Sequence, residues 1–178
     1  MVKIIQLQAY RTRIVELKAF KSWHKLFGEK YGETTSCADI SDKTLFQLAS
    51  PGNASTIAFY AMIMGILDLG CPAKFYYLSN SDQLRILDIH LFLADSIRFE
   101  LMGRLGWIEN LPFEGLPLIK IVQSFDEVKA QSRGKSPTLS KLYPDYNLYS
   151  TLDRLDKETF IRLLLPDAIA AFKERLEA

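Results

Sequence analysis

Apolar residues recur at helical spacing along most of this chain, and the strongest pattern lies in residues 84–105. Projected at about 100° per residue, one broad face of this segment is apolar and also contains His90 and Arg98. The apolar members of that face are Leu84, Leu87, Leu91, Ala94, Leu101 and Leu105. A buried imidazole needs a hydrogen-bond partner, and an unpaired buried guanidinium costs several kcal/mol. We therefore expect a neighbouring helix, a second subunit or a ligand to satisfy these two side chains.

Residues 54–69 form a second strongly apolar segment, which predicts a helix that is buried on most of its sides. The preceding turn places Asn53 as the N-cap, and Gly70 followed by Pro72 marks the end of the helix. Small residues recur along one face of this helix, namely Ala54, Ala58, Ala61 and Gly65. Such a stripe admits either a closely packed helix or a flat ligand, and we expect helix packing.

Shorter amphipathic segments predict further helices at residues 13–27, 42–49 and 118–128 and from about residue 156 onward. Pro166 is expected to kink the last of these or to begin a new helix, because proline lacks the N–H that a helix interior requires. Residues 74–78 are strand-like in composition, and residues 131–147 lack apolar periodicity and predict a loop. Residues 2–10 alternate too briefly to distinguish a strand from the start of a helix.

These elements together predict an all-α fold, with one domain over residues 1–178 built as a bundle of five or six helices. Residues 2–10 add either a short N-terminal strand or the start of a helix to this bundle. The two central helices, at residues 54–69 and 81–106, are apolar nearly all round. Because a chain of this length offers few other elements to cover both helices, we expect a homodimer formed through one of them.

The amino-acid composition indicates which binding partners and which cellular compartment to expect. The chain is 48% hydrophobic and 24% charged, with a formal net charge of +1, so it has no overall attraction to nucleic acid or to acidic membranes. The longest strongly apolar stretch, residues 54–67, is shorter than the roughly 20 residues that cross a bilayer. Cys37 and Cys71 form no CxxC pair, and two free thiols in a reducing compartment are expected. We expect a cytoplasmic protein that does not bind membranes.

The candidate ligand-binding residues on the central helix are His90, Asp95 and Arg98. Asp95 stands three positions before Arg98, which allows an intrahelical ion pair and a purely structural network. In the alternative, Arg98 anchors a small anionic ligand and His90 donates or transfers a proton. Tyr60 or Asp68 would then contribute from the adjacent helix.

Motifs for metal, phosphate or nucleophilic chemistry are missing from the sequence. The two histidines stand in none of the spacings that zinc or di-iron sites use, so no metal and no cofactor is expected. The tripeptide Gly134-Lys135-Ser136 resembles the end of a phosphate-binding loop, but Lys129 occupies the position of its first glycine. No Gly-x-Ser-x-Gly nucleophile elbow is present.

Arg85 and His90 stand five positions apart in the sequence Arg-Ile-Leu-Asp-Ile-His. This Arg-x4-His spacing resembles that of the HEPN family of helical nucleases and nucleotide-binding domains. The resemblance implies that the arginine and the histidine would meet at a dimer interface and cleave RNA. It covers six residues, and Ile86 stands where that family usually has a polar residue.

The sequence therefore favours a non-catalytic cytoplasmic interaction or regulatory module. Its expected partners are a second copy of the chain, another protein or a small anionic ligand, and nucleic acid is not expected. The first alternative is a small-molecule binding protein or enzyme whose site lies near His90 and Arg98. The second alternative is a HEPN-like nuclease that acts through Arg85 and His90.

Overall fold

Helices form most of the regular structure in this computed structural model, which describes the backbone of residues 2–178 and the side chains of residues 7–178. The helices are α1 (Val2–Phe27), α2 (Asp42–Ala49), α3 (Asn53–Ile66), α4 (Asn80–Arg104), α5 (Leu118–Gln123), α6 (Phe125–Ser132), α7 (Tyr146–Ser150), α8 (Arg154–Leu163) and α9 (Leu165–Glu177). Two short strands, β1 (Ile108–Glu109) and β2 (Thr138–Leu139), pair antiparallel. The all-α prediction is confirmed, but nine α-helices in the described part of the chain exceed the expected five or six.

The additional helices arise at local breaks that the apolar pattern does not reveal. The helix expected at residues 118–128 is interrupted at Ser124, whose ψ of 34° departs from helical geometry, so α5 and α6 are separate. A short helix, α7, begins at Tyr146, within the last residues of the loop that the sequence predicts at residues 131–147. Pro166 is the second residue of α9, so it begins a new helix, as the sequence allowed.

The N-terminal segment is helical, so the alternative of a short N-terminal strand is wrong. Residues 2–10 belong to α1, which continues without a break to Phe27. A strand needs a neighbour for its hydrogen bonds, and in the described residues β1 and β2 pair only with each other. The helix ends where Gly28 adopts a left-handed φ of 69° and donates its N–H to the carbonyl of His24.

The strand expected at residues 74–78 is a 3₁₀ turn, Pro72–Tyr77, which we call the tyrosine turn. The side-chain amide of Gln83 in α4 donates to the carbonyls of Phe75 and Leu78, at 3.2 and 3.1 Å. These bonds hold the turn against the start of α4 and satisfy backbone acceptors that a strand would have paired. Phe75 is buried, whereas Tyr76 and Tyr77 are 86% and 89% exposed.

The closest packing in the core is between α1 and α3. A Cβ at Gly65 would lie only 2.2 Å from the carbonyl oxygen of Lys18, so the two backbones nearly touch at this point. Nearby, the indole N–H of the fully buried Trp23 donates to the carbonyl of Ala58 at 2.8 Å. The small-residue stripe therefore serves helix packing at Ala58 and Gly65, as expected, whereas Ala54 at its start is exposed.

The start of α3 differs by one residue from the expected boundary. Gly52 occupies the N-cap position and Asn53 is the first helical residue.

Among the helices that the structure describes, none combines the length and the apolar character that a bilayer crossing requires.

Candidate functional site

The buried face of α4 coincides only in part with the face that the leucines predict, since Ala94 and Leu101 are buried but Leu84 and Leu91 are not. The fully buried positions are Ile86, Ile89, Leu93, Ile97 and Leu101. Leu84 and Leu91 are 65% and 62% exposed, and Leu87 is 38% exposed. The face predicted from the leucines is therefore rotated about the helix axis relative to the face that is buried. Apolar residues occur on both sides of α4, and its packing against α2 and α3 determines which side is buried.

His90 lies at the edge of the buried face, against two aromatic rings of α3. Its ring centroid is 5.1 Å from that of Phe59 and 5.3 Å from that of Tyr60. Burial, and secondarily the positive charge of Arg98, lowers the pKa of His90 below its usual value. His90 is therefore neutral near pH 7.

The lowered pKa predicts that His90 reduces stability in mild acid. The unfolded chain binds the proton at the ordinary histidine pKa of about 6.5, before the folded chain does, so stability falls as the pH drops from about 7.5 to 5.5. His90→Gln is expected to reduce this loss, which urea denaturation at the two pH values measures. Equal pH dependence in the variant and the wild type would show that the imidazole of His90 is not responsible.

Arg98 does not form the expected intrahelical pair. Its Nε atom is buried and has no hydrogen-bond partner among the described residues. Asp95 instead pairs with Arg162 of α8, with 2.9 Å between Oδ2 and Nη1. The helix thus keeps one arginine that its protein neighbours do not fully satisfy.

The five predicted ligand-binding residues occupy three places. His90 and Tyr60 are in contact, and Arg98 lies on the same helix as His90, close enough to affect its pKa. Asp95 belongs to the α8 side of α4. Asp68, which has a left-handed φ of 57°, pairs with Lys18 of α1 at 2.7 Å on the exposed surface.

Arg85 and His90 stand on different sides of α4 within one chain. Five positions along a helix correspond to about 140° of rotation. Arg85 is exposed, whereas His90 packs on α3. The two side chains could meet only through a second subunit, as the HEPN resemblance implies.

Large apolar side chains are exposed on one face of α4 and on the tyrosine turn, which Gln83 holds against the start of that helix, and we call them together the leucine surface. Its members are Leu84, Leu87, Leu91, Tyr76 and Tyr77. The two parts are connected through aromatic contacts, since Phe75 packs on Tyr76 and on Tyr60, and Tyr60 packs on His90. Because the apolar pattern predicts these leucines in the core, the sequence alone does not reveal this surface.

A buried ionic network centred on Arg104 was also missed. Arg104 pairs with Glu100 at 2.9 Å and with Asp42 of α2 at 2.8 Å, and it donates to the carbonyl of Cys37 at 3.1 Å. Burial, together with the charge of Glu100, raises the pKa of the Cys37 thiol to about 12. The spacing of four between Glu100 and Arg104 was the available signal. The network joins α4 to α2 and to the segment that precedes α2, and it has a structural role.

Neither metal coordination nor comparison with known proteins adds a functional residue. Among the described residues, no three His, Cys, Asp or Glu side chains are grouped so that they could hold a metal ion. The chain matches no protein-family model, no curated protein and no solved structure. Function is therefore inferred from the residues and their geometry alone.

Proposed function

We propose that this protein is a non-catalytic cytoplasmic interaction module that binds a second copy of itself through the leucine surface. The observation that carries this proposal is the exposure of large apolar side chains along one face of α4 and on the turn that is held against its start. Leu84 and Leu91 are each more than 60% exposed on that face, and Tyr76 and Tyr77 are almost fully exposed on the tyrosine turn. Contiguous apolar patches on soluble proteins commonly mark interaction sites.

The physical driving force is removal of this apolar area from water. Burial stabilises a complex by about 25 cal/mol per Å² before the costs of association are subtracted. Tyrosine is enriched in interfaces because its ring gives a large contact area at a low cost in side-chain entropy. Since Gln83 bonds to the backbone carbonyls of Phe75 and Leu78, the backbone of the tyrosine turn is already ordered in the free protein.

The spacing and charge of the surface suit a second copy. Leu84, Leu87 and Leu91 follow one another at three and four positions, the spacing at which two helices pack along an apolar seam. A two-fold axis would place the same seam on both chains. Asp88, on the neighbouring face, is already paired with Lys129 at 2.9 Å, so this carboxylate brings no uncompensated charge to the contact between two such surfaces.

One observation favours the small-molecule alternative at Arg98. The partnerless Nε of Arg98 is a buried donor that a carboxylate or phosphate would satisfy, and His90 and Tyr60 are the neighbouring polar groups. This function would replace the interaction module if the wild-type protein were a monomer that retained a bound anion. The nuclease alternative remains a prediction that requires a dimer with Arg85 and His90 at its interface.

The proposal is tested by the solution mass of two matched variants. Leu91→Glu places a charge within the leucine surface, and Leu155→Glu places the same charge at a position on α8 that is 71% exposed. Light scattering at micromolar concentration should give a dimer for the wild type and for Leu155→Glu, and a monomer for Leu91→Glu. Circular dichroism should show the same helix content in all three. A monomeric wild type, or a dimeric Leu91→Glu, would refute the proposed surface.

A further inference from the structure

A cleft of about 250 Å³ lies on the other side of α4 from His90, bounded by residues 112–113, residues 132–137 and α8. Phe92, Phe99 and Phe113 supply apolar lining, and the first and last of these rings are 6.1 Å apart between centroids. The cleft also contains the tripeptide Gly134-Lys135-Ser136, which the sequence singled out without finding a role for it.

The charges that line the cleft do not balance. Three cations, Lys135, Arg154 and Arg162, face two carboxylates, Asp95 and Glu158. Arg162 is paired with Asp95, and Arg154 with Glu158 at 3.4 Å. Among the described residues, no carboxylate pairs with Lys135, whose ammonium lies 5.6 Å from the centre of the Phe113 ring. The cleft therefore carries one positive charge that the protein does not neutralise.

Arg154 adds hydrogen-bond donors to this charge. Its hydrogen bond within the described residues is made by Nε, to the carboxylate of Glu158. Both Nη atoms lie 3.8 Å from the point that a Cβ on Gly134 would occupy, so the guanidinium packs on the glycine backbone. Gly134 has a φ of 77°, a backbone conformation that favours glycine. The two Nη groups thus lie against the residue that precedes Lys135, and no described residue accepts a hydrogen bond from them.

We infer that this cleft binds a small aromatic oxyanion, with its carboxylate or phosphate between Lys135 and Arg154 and its ring on the phenylalanines. A guanidinium fork and an ammonium are the groups that bind such oxygens most strongly. A few polar groups that converge over an apolar lining are typical of small-molecule sites. The volume suits a single ring, being below the about 300–1,000 Å³ of sites for larger ligands. This site is separate from the leucine surface and from Arg98.

The inference is tested by calorimetric titration of the wild-type protein with four probes. Phenyl phosphate and benzoate carry both the ring and the charge, inorganic phosphate carries the charge alone, and benzyl alcohol carries the ring alone. One or both aromatic anions should bind with one site per chain, at least about tenfold more tightly than either single-feature probe. The stronger of the two identifies the oxyanion as phosphate or carboxylate. No binding of either aromatic anion at millimolar concentration would overturn the inference.

Variants place the binding in the cleft. Lys135→Ala and Arg154→Ala should each lower the affinity for the more tightly bound aromatic anion by about tenfold or more, because each removes a charged hydrogen-bond donor. Arg133→Ala removes an exposed cation from the same loop, outside the cleft lining, and should leave the affinity unchanged. An equal loss in Arg133→Ala would show nonspecific attraction, and a loss in Arg98→Met with none in Lys135→Ala would place the ligand beside His90. Either result would overturn the inference.

Discussion

Replacing Arg104 by alanine is expected to lower the free energy of unfolding by about 3–5 kcal/mol, because it leaves a buried carboxylate without its partner. The side chain of Glu100 is only 8% exposed, and its Oε2 atom has no hydrogen-bond partner among the described residues. Without Arg104, its Oε1 loses a cation at 2.9 Å, and Asp42 loses the closer of the two arginines that contact it. Urea denaturation followed by tryptophan fluorescence measures the loss.

Two further variants distinguish a stranded charge from a lost surface contact. Arg104→Met combined with Glu100→Met removes both charges and should recover most of the stability, since the net contribution of a buried pair is small. Arg162→Ala breaks the more exposed pair with Asp95 and should cost no more than about 1 kcal/mol. If Arg104→Ala cost as little as Arg162→Ala, the network around Glu100 would not be the buried element described above.

Gly65→Ala is expected to destabilise the protein by about 1–3 kcal/mol or more, although alanine favours a helix by about 1 kcal/mol over glycine. The added methyl group would lie 2.2 Å from the carbonyl oxygen of Lys18 and 2.7 Å from its carbonyl carbon. Because these are backbone atoms, the clash is relieved only if α1 moves away from α3. That movement would loosen the packing of Trp23, whose indole bonds to Ala58.

Gly103→Ala is the matched control on α4. Its methyl group would approach the terminal Cδ1 of Leu111 at 2.8 Å, and this flexible side chain can rotate away. The gain in helix propensity then offsets the small cost of that adjustment, so the variant should be nearly as stable as the wild type. Thermal denaturation of both variants makes the comparison. Equal stability of the two variants would contradict the close contact between α1 and α3.

The sequence predicts correctly those features of the fold that depend on residues close together in the chain, such as the bounds of α2 and the close packing of α3. The bounds of α2 agree with the sequence because Ser41 caps the helix, accepting a hydrogen bond from the backbone N–H of Thr44 at 3.3 Å. The small residues of α3 predicted close helix packing because only a residue without a side chain fits against the backbone of Lys18. Neither inference needed information from distant parts of the chain.

The candidate site was harder to predict because distant residues arrange it. Apolar residues occur around α4, so its pattern does not reveal which face meets α2 and α3. Arg162 draws Asp95 toward α8, and Lys18 draws Asp68 toward α1. These partners lie far along the chain, and no spacing within α3 or α4 indicates them. Once the face of α4 was misplaced, the exposed leucines were necessarily misassigned to the core.

Native mass spectrometry of the freshly purified wild-type protein tests the central claim most directly. Association through the leucine surface predicts twice the mass of one chain at micromolar concentration. Dilution should convert the dimer to monomer, since only the surface contact holds the two chains together. A single-chain mass at every concentration, measured under conditions in which the helix content is unchanged, would contradict the proposed self-association.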